Sequence, residues 1–197
     1  QNSFKRLFET IKNVRKEKKI FLFLLAFFFY IDGVYTIIDM ATAYGTALGL
    51  DSTVLLLALL VTQLVAFPFA IIFGRLSKCY DVRTLITICI AAYFGIAVFA
   101  IFLKAQWQFW IMAILVGMFQ GGIQALSRSY FTKIIPAEKS GEYFGLMDIC
   151  GKGASFLGTT VISLIAQLTG KVNIGVGAIS LFFVCGMIVF KMATAEE

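Results

Sequence analysis

Six long apolar runs, separated by short polar segments, constrain this chain more than any other feature of its sequence. Each run holds about 20 residues, the length that an α-helix needs to cross the roughly 30 Å hydrocarbon core of a membrane. Residues 21–29 and 54–60 are apolar without interruption, unlike the alternating pattern of an outer-membrane strand. The runs predict an all-α membrane protein with six transmembrane helices, at 20–44, 53–73, 85–103, 107–126, 143–168 and 174–190.

The composition agrees with this interpretation and leaves no room for a separate soluble domain. Hydrophobic residues make up 60% of the 197 residues and charged residues 14%, with a mean hydropathy of +0.90. A soluble domain holds about 25% charged residues. We expect one six-helix bundle over 20–192, followed by a cytoplasmic tail over 193–197.

The basic residues predict the orientation of the bundle, because cytoplasmic loops carry the excess of Lys and Arg. Seven lie before the first span, three after the second, three after the fourth, and Lys191 after the last. The opposite side carries only Lys104 and Lys171, and Lys152 lies within the fifth span. Both termini are therefore predicted to be cytoplasmic, and we expect a multi-pass protein of a prokaryotic cell membrane.

Residues 1–19 are expected to form a basic amphipathic helix on the cytoplasmic surface. Phe4, Leu7, Phe8, Ile11 and Val14 recur at helical spacing, with basic residues on the other face. This pattern suits a helix that lies flat on an anionic lipid bilayer. Because the positive-inside rule accounts for the net charge of +6, no nucleic-acid partner is expected.

The sequence offers no pattern for a cofactor or a metal. The chain has no histidine, and its four cysteines form no CxxC pair. We therefore expect no metal site, no cofactor and no catalysed reaction. Any proton relay would have to use carboxylates or a lysine.

Four ionisable residues lie inside the predicted spans: Asp32, Asp39, Asp148 and Lys152. A charge at the bilayer centre costs roughly 2.5 to 3.5 kcal/mol and usually faces a cavity, a partner or a substrate path. Counted from the cytoplasmic edge, Asp32 lies about 18 Å deep, and Lys152 about 13 to 14 Å deep. Asp39, at about 28 Å, and Asp148, at about 7 to 8 Å, fall near opposite surfaces. The similar depths predict a midplane ion pair of Asp32 with Lys152.

A structural role is the competing interpretation of these charges. Asp148 and Lys152 are four residues apart and can neutralise each other on one helix face. Asp39 can be wetted at the interface, and Asp32 can bond a backbone group. We favour function for Asp32 and Lys152 and structure for Asp39 and Asp148, and we keep all four as candidates for a substrate or ion pathway.

Two amides in the fourth span extend this candidate pathway. Gln120 and Gln124 are four apart and share a helix face, so they can bond either a polar ligand or another helix. Gly117 and Gly121 form a GxxxG pattern, which favours close packing of two helices.

Several motifs resemble one family of transporters. Residues 121–131 read GGIQALSRSYF, residues 142–145 read EYFG, residues 32–34 read DGV, and residues 155–158 read SFLG. Together with Ile135-Pro136, these motifs resemble the vacuole-effluxer-like (autophagy-related) branch of the major facilitator superfamily.

A shorter motif, Gly74-Arg75-Leu76, resembles the cytoplasmic-loop motif of the wider superfamily. The resemblance implies a cytoplasmic gating loop that uses Gly74, Arg75 and Arg128. Two positions depart from the pattern: Lys78 replaces the usual acid of the loop motif, and Thr159 stands where this branch often has proline.

The resemblance implies that the chain is the C-terminal half of a twelve-helix secondary transporter, joined through its basic helix to an N-terminal six-helix half. In such a transporter a small polar metabolite, for which the resemblance suggests amino acids, binds near the midplane between the two bundles and is exposed to each side in turn. We expect ion coupling through protonation of Asp32. A six-helix channel or assembly subunit that forms a homodimer is an alternative. An intramembrane aspartyl protease is less favoured, because Asp32 and Asp148 lie outside the Tyr-Asp and Gly-x-Gly-Asp motifs of that class.

Overall fold

A computed structural model of the chain shows an all-α architecture, as predicted. The structure describes the backbone of residues 2–47, 49–102, 105–170 and 172–195, and the side chains in these ranges except those of residues 2, 14–16, 39–44, 47, 101 and 172–177. These ranges contain no strand. They form a short 3₁₀ helix at Ala137–Lys139 and seven α-helices: α1 (Asn2–Lys16), α2 (Lys18–Ala47), α3 (Ser52–Cys79), α4 (Val82–Ile101), α5 (Gln106–Ile134), α6 (Ser140–Thr169) and α7 (Val172–Thr194).

Helices α2 to α7 coincide with the six predicted spans. Five of them are long and apolar enough to cross a membrane, and the described part of α7, Ala178–Thr194, is apolar but shorter. Several helices continue past their predicted ends, notably α3 to Cys79 and α5 to Ile134. A helix can continue into the polar headgroup region, where the loss of hydropathy does not mark the end of the helix.

Two of the described helix ends carry recognisable caps. The carboxylate of Asp81 precedes α4 and accepts a hydrogen bond from the backbone N–H of Arg83 at 3.1 Å. The Arg83 guanidinium also bonds this carboxylate and holds the pKa of Asp81 below its usual value. Gly170 ends α6 with a φ of +74°, in the left-handed region that glycine adopts without strain.

Helix α2 lies at the centre of the bundle, packed against α6 and α7 and in contact with α5. Phe23, Tyr30 and Ile31 of this helix are fully buried. The Phe23 ring stacks on Phe131 with centroids 5.6 Å apart, and the Tyr30 hydroxyl lies 2.5 Å from Ser127 Oγ. Aromatic packing and one polar contact therefore join α2 to α5.

Glycines on α5 allow close approach to α3. A Cβ added at Gly117 would lie 2.7 Å from the carbonyl oxygen of Thr62, and one added at Gly121 would lie 3.0 Å from that of Ala66. The prediction that this GxxxG pattern packs two helices together is confirmed.

Helix α1 packs against α2 and α6. The hydroxyl of its buried Thr10 lies 2.8 Å from the Arg6 carbonyl and 3.0 Å from Glu142 Oε2, and the second contact joins α1 to the start of α6. Phe4 and Phe8 are largely exposed. The docked helix thus leaves an aromatic surface for lipid, although its orientation on the membrane stays a prediction.

Candidate functional site

A polar cavity of about 420 Å³ lies between α2, α5 and α6. We call it the α2–α5–α6 cavity. Its lining residues are Phe27 and Tyr35 of α2, Gln124 and Arg128 of α5, and Met147, Asp148, Gly151, Lys152 and Ser155 of α6.

Helical spacing places these side chains around one space. Gln124 and Arg128 are four residues apart on α5, and Asp148, Lys152 and Ser155 follow at intervals of four and three on α6. The two polar faces meet beside α2, which contributes aromatic rings. Three helices that are otherwise apolar therefore share one polar surface.

Arg128 and Asp148 form an ion pair across the cavity. Arg128 Nη2 lies 2.6 Å from Asp148 Oδ1, and the guanidinium also lies over the Phe144 ring, 5.8 Å from its centroid. The two side chains are 54% and 53% exposed. A pair this exposed adds little to stability, about 1 kcal/mol or less, so stability alone gives little reason to place it here.

Lys152 is exposed at the same cavity and has no ion-pair partner among the described side chains. The preceding residue, Gly151, is buried, and a Cβ added there would lie 3.7 Å from the Tyr35 ring. Lys152 therefore presents a cation beside the contact between α2 and α6.

Asp32 lies elsewhere, in a closely packed contact between α2 and α6. It is fully buried, and its Oδ1 accepts a hydrogen bond from Thr36 Oγ1 at 3.2 Å. A Cβ added at Gly158 would collide with both Asp32 Oδ1 and Thr36 Oγ1. The other carboxyl oxygen, Oδ2, has no hydrogen-bond partner in the described part of the chain.

The predicted ion pair of Asp32 with Lys152 is wrong for this structure. Asp32 faces Gly158, whereas Lys152 lines the α2–α5–α6 cavity. Depth does not specify the direction in which a side chain points around its helix. Lys152 follows Gly151 and so points about 100° away from the face that contacts α2.

Two further expectations about charges need correction. Asp148 pairs with Arg128 rather than with Lys152. Arg128 lies within α5, and Gly74 and Arg75 lie within α3, so none of the three belongs to a loop. Gly74 and Arg75 are exposed, and a Cβ added at Gly74 would meet no atom within 4 Å.

The two amides of α5 differ in their surroundings. Gln124 lines the cavity, whereas Gln120, one turn away, is partly buried. The side-chain oxygen of Gln120 has no hydrogen-bond partner in the described ranges. The Asp39 side chain lies outside the described residues, so its predicted role stays a prediction.

Three lining residues, Arg128, Tyr35 and Ser155, were not predicted from the sequence to face a cavity. For Arg128 a signal was present, because Gln120, Gln124 and Arg128 recur every four residues along α5. Tyr35 and Ser155 carry no comparable signal, since their types are common in membrane helices.

The cavity combines groups that recognise small polar solutes. Arg128 and Lys152 can bind a carboxylate, Asp148 can bind an ammonium, and Gln124 adds an amide. Asp32 and Asp148 are not brought together, since one packs at Gly158 and the other bonds Arg128.

Comparison with known sequences gives matches along the full chain. Residues 1–197 match the family described as vacuole effluxer Atg22 like. The protein named "Uncharacterized MFS-type transporter YxiO" of Bacillus subtilis is 48% identical over 195 residues, covering 99% of this chain and 46% of the relative.

Fungal proteins also match. Autophagy-related protein 22 of Saccharomyces cerevisiae is 31% identical over 179 residues, covering 85% of this chain and 34% of the relative. Autophagy-related protein 22-2 of Aspergillus niger is 25% identical over 211 residues, covering 99% and 35%. The chain therefore spans between about a third and a half of the length of the curated relatives it matches.

Proposed function

This chain belongs to the Atg22-like vacuole effluxer family, and on that premise we propose that it forms one six-helix half of a secondary transporter for a small polar solute. The observation that carries the proposal is the α2–α5–α6 cavity, which gathers charged and polar groups between helices apolar enough to cross a membrane. Charged groups in membrane helices are costly and commonly mark a substrate path. Alternating access would expose this path to each side of the membrane in turn.

A second six-helix bundle is the proposed partner of this half. The matched region covers 46% of the YxiO relative, which leaves room for another bundle of similar size. Lys152 and Phe156 of α6 are exposed, so one side of the cavity region is open to such a partner. The solute would then bind between the two bundles.

We propose amino acids as the first solutes to test. An amino acid carries a carboxylate and an ammonium, and the cavity offers Lys152 and Arg128 for the former and Asp148 for the latter. The guanidinium of Arg128 can bind a carboxylate with two parallel hydrogen bonds. The present Arg128–Asp148 pair would have to open, or be shared, when such a solute binds.

Asp32 is the proposed site of ion coupling. Its carboxyl is buried between α2 and α6 with one oxygen unpaired among the described residues. No described cationic side chain pairs with it, and a buried ionised carboxylate without such a partner is costly. We propose that proton release from Asp32 accompanies separation of α2 from α6, and that proton binding accompanies their contact.

Solute exchange in proteoliposomes tests the proposed transport. The full-length protein is reconstituted in vesicles loaded with unlabelled amino acids, and the entry of labelled amino acid is followed. We expect exchange by the wild type, and a loss of about tenfold at low solute concentration for Lys152→Gln, equivalent to about 1.4 kcal/mol of binding.

The matched control is Lys139→Gln, which neutralises an exposed lysine outside the cavity. It should leave exchange unchanged. Undiminished exchange by Lys152→Gln would show that the cavity lysine does not contact the solute. Absence of exchange by the wild type across all amino acids would reject the proposed solute class.

A further inference from the structure

An apolar groove of about 430 Å³ lies between α1, α2 and α6, outside the α2–α5–α6 cavity. Ile11 of α1, Phe21, Leu25 and Phe28 of α2, and Leu146 and Cys150 of α6 line it. Phe21 is 44% exposed, so the groove is open along its side. We propose that this groove binds one acyl chain of an anionic phospholipid, with the lipid headgroup at the basic end of the groove.

The stretch of α2 from Lys18 to Phe28, the deepest groove residue on this helix, fits one leaflet of a membrane. Lys18 begins α2, and Phe28 lies ten residues further on, about 15 Å along the helix axis. Half of the roughly 30 Å hydrocarbon core has the same length. An acyl chain that enters beside Lys18 could therefore follow α2 as far as Phe28 without leaving its own leaflet.

Positive charge lies at the end of the groove where a headgroup would sit. Lys18 is exposed and shares one face of α2 with Phe21, Leu25 and Phe28, which follow it by three, seven and ten residues. Lys12 is exposed on α1, next to Ile11 of the groove. Basic side chains beside a membrane helix attract anionic lipid headgroups.

The acidic groups at this end do not cancel that charge. Among the side chains that the structure describes in residues 3–19, five are basic and only two, Glu9 and Glu17, are acidic. Glu142 of α6 does not line the groove but a separate pocket, beside Arg6 of α1. An anionic headgroup therefore meets a net positive surface.

The chemistry of the groove favours a lipid over a second protein chain. Its sides are apolar and one end is basic, which matches an acyl chain attached to a phosphate. A helix from a second chain would have to pack with its axis 8–10 Å from those lining the groove. Its apolar face would leave Lys18 without an anion. A lipid bound here would hold α1 against α2 and α6.

Photochemical crosslinking locates the lipid directly. The full-length protein is placed in nanodiscs that contain phosphatidylglycerol with a photoactivatable group in its acyl chain, or the matching phosphatidylcholine. Crosslinked residues are mapped by mass spectrometry. We expect phosphatidylglycerol to label residues 21–28 and 146–150 about fivefold more than phosphatidylcholine does. A lysine near the surface favours an anionic lipid by about 1 kcal/mol, which corresponds to this ratio of affinities.

Variants separate the two parts of the site. Lys18→Gln should reduce labelling by phosphatidylglycerol to the level of phosphatidylcholine, whereas Lys139→Gln should not. Leu25→Trp should fill the groove and remove labelling by both lipids. Leu146→Trp, on the opposite side of the groove, replaces Leu25→Trp if that variant fails to fold.

Three results would overturn the proposal: equal labelling of the groove by both lipids, labelling concentrated on the exposed face of α3 at 56–64, or crosslinks between two copies of the chain at the groove. The first two would indicate ordinary boundary lipid, and the third a protein partner. Because labelling reports binding and not exchange, each result is independent of the proposed transport function.

Discussion

Gly158 allows α6 to pass directly over the carboxyl of Asp32. A Cβ at this position would collide with Asp32 Oδ1 and Thr36 Oγ1, and the contact is buried within the bundle. Only glycine, which has no side chain, fits at position 158 against the buried carboxyl of Asp32. This contact is the structural basis of the coupling proposed above.

Gly158→Ala should separate α2 from α6 and destabilise the protein by about 1 to 3 kcal/mol, because the added methyl group overpacks a buried contact. Thermal unfolding of the purified full-length protein measures the change. Gly145→Ala is the matched control in the same helix, since a Cβ added there meets no atom within 4 Å. Equal unfolding temperatures for the two variants would mean that the contact between α2 and α6 accommodates a methyl group at position 158.

Asp32→Asn should abolish uptake driven by a pH gradient while preserving exchange of solute. The amide of asparagine keeps the shape of the carboxyl and can still accept the hydrogen bond from Thr36, but it does not bind and release a proton as a carboxyl does. Uptake with and without an imposed gradient, measured in the same proteoliposomes, separates the two activities. Uncompromised gradient-driven uptake by the variant would reject Asp32 as the coupling site.

At the scale of secondary-structure elements, the α3–α5 contact depends on backbone proximity. Gly117 and Gly121 lie against the α3 carbonyl groups of Thr62 and Ala66. The hydroxyl of Thr62 lies 2.9 Å from the carbonyl oxygen of Ala58 in its own helix and 3.3 Å from that of Ala113 on α5, and it shares its one hydrogen between them. Packing and a polar contact together hold α3 at the edge of the bundle.

Gly117→Ala should loosen this contact, because its Cβ would lie 2.7 Å from a backbone oxygen that can move only with the whole of α3. We expect a loss of about 1 to 3 kcal/mol in unfolding free energy. Gly95→Ala on α4, where an added Cβ has open space, is the control. A variant as stable as the control would show that α3 shifts outward without cost.

The helices were predictable from sequence, because about 20 consecutive apolar residues have one stable backbone conformation in lipid. The end of α5 was not, since hydropathy falls at Leu126 while the helix continues to Ile134. That error placed Arg128 in a loop. The four-residue spacing of Arg128 from Gln124 correctly indicates that both side chains lie on one face of a helix.

The candidate site was predictable in its residue types more than in its pairings. Gln124, Asp148 and Lys152 do line one cavity, but Asp32 lies apart from it. Depth along a helix can be counted from the sequence, whereas rotation about the axis depends on which face packs. Gly151 and Gly158 determine that face on α6, and neither suggests a contact on its own.

At the scale of the whole molecule, the described bundle combines a polar cavity with extensive apolar surface. Leu56, Leu60, Leu64 and Phe67 leave α3 with an exposed apolar face, which suits lipid. The cavity between α2, α5 and α6 offers both charge and volume to a solute. The proposed second half would enclose it.

The central claim is that this cavity is an aqueous solute path, and thiol labelling tests it most directly. Ser155→Cys places a thiol of similar size in the cavity of a full-length protein whose native cysteines are replaced, and Leu57→Cys on the exposed face of α3 is the control. A charged, membrane-impermeant thiol reagent should modify the first and spare the second, and a transported amino acid should slow modification of the first. Lack of reaction at position 155, or reaction that no amino acid slows in a variant that still exchanges solute, would contradict the account.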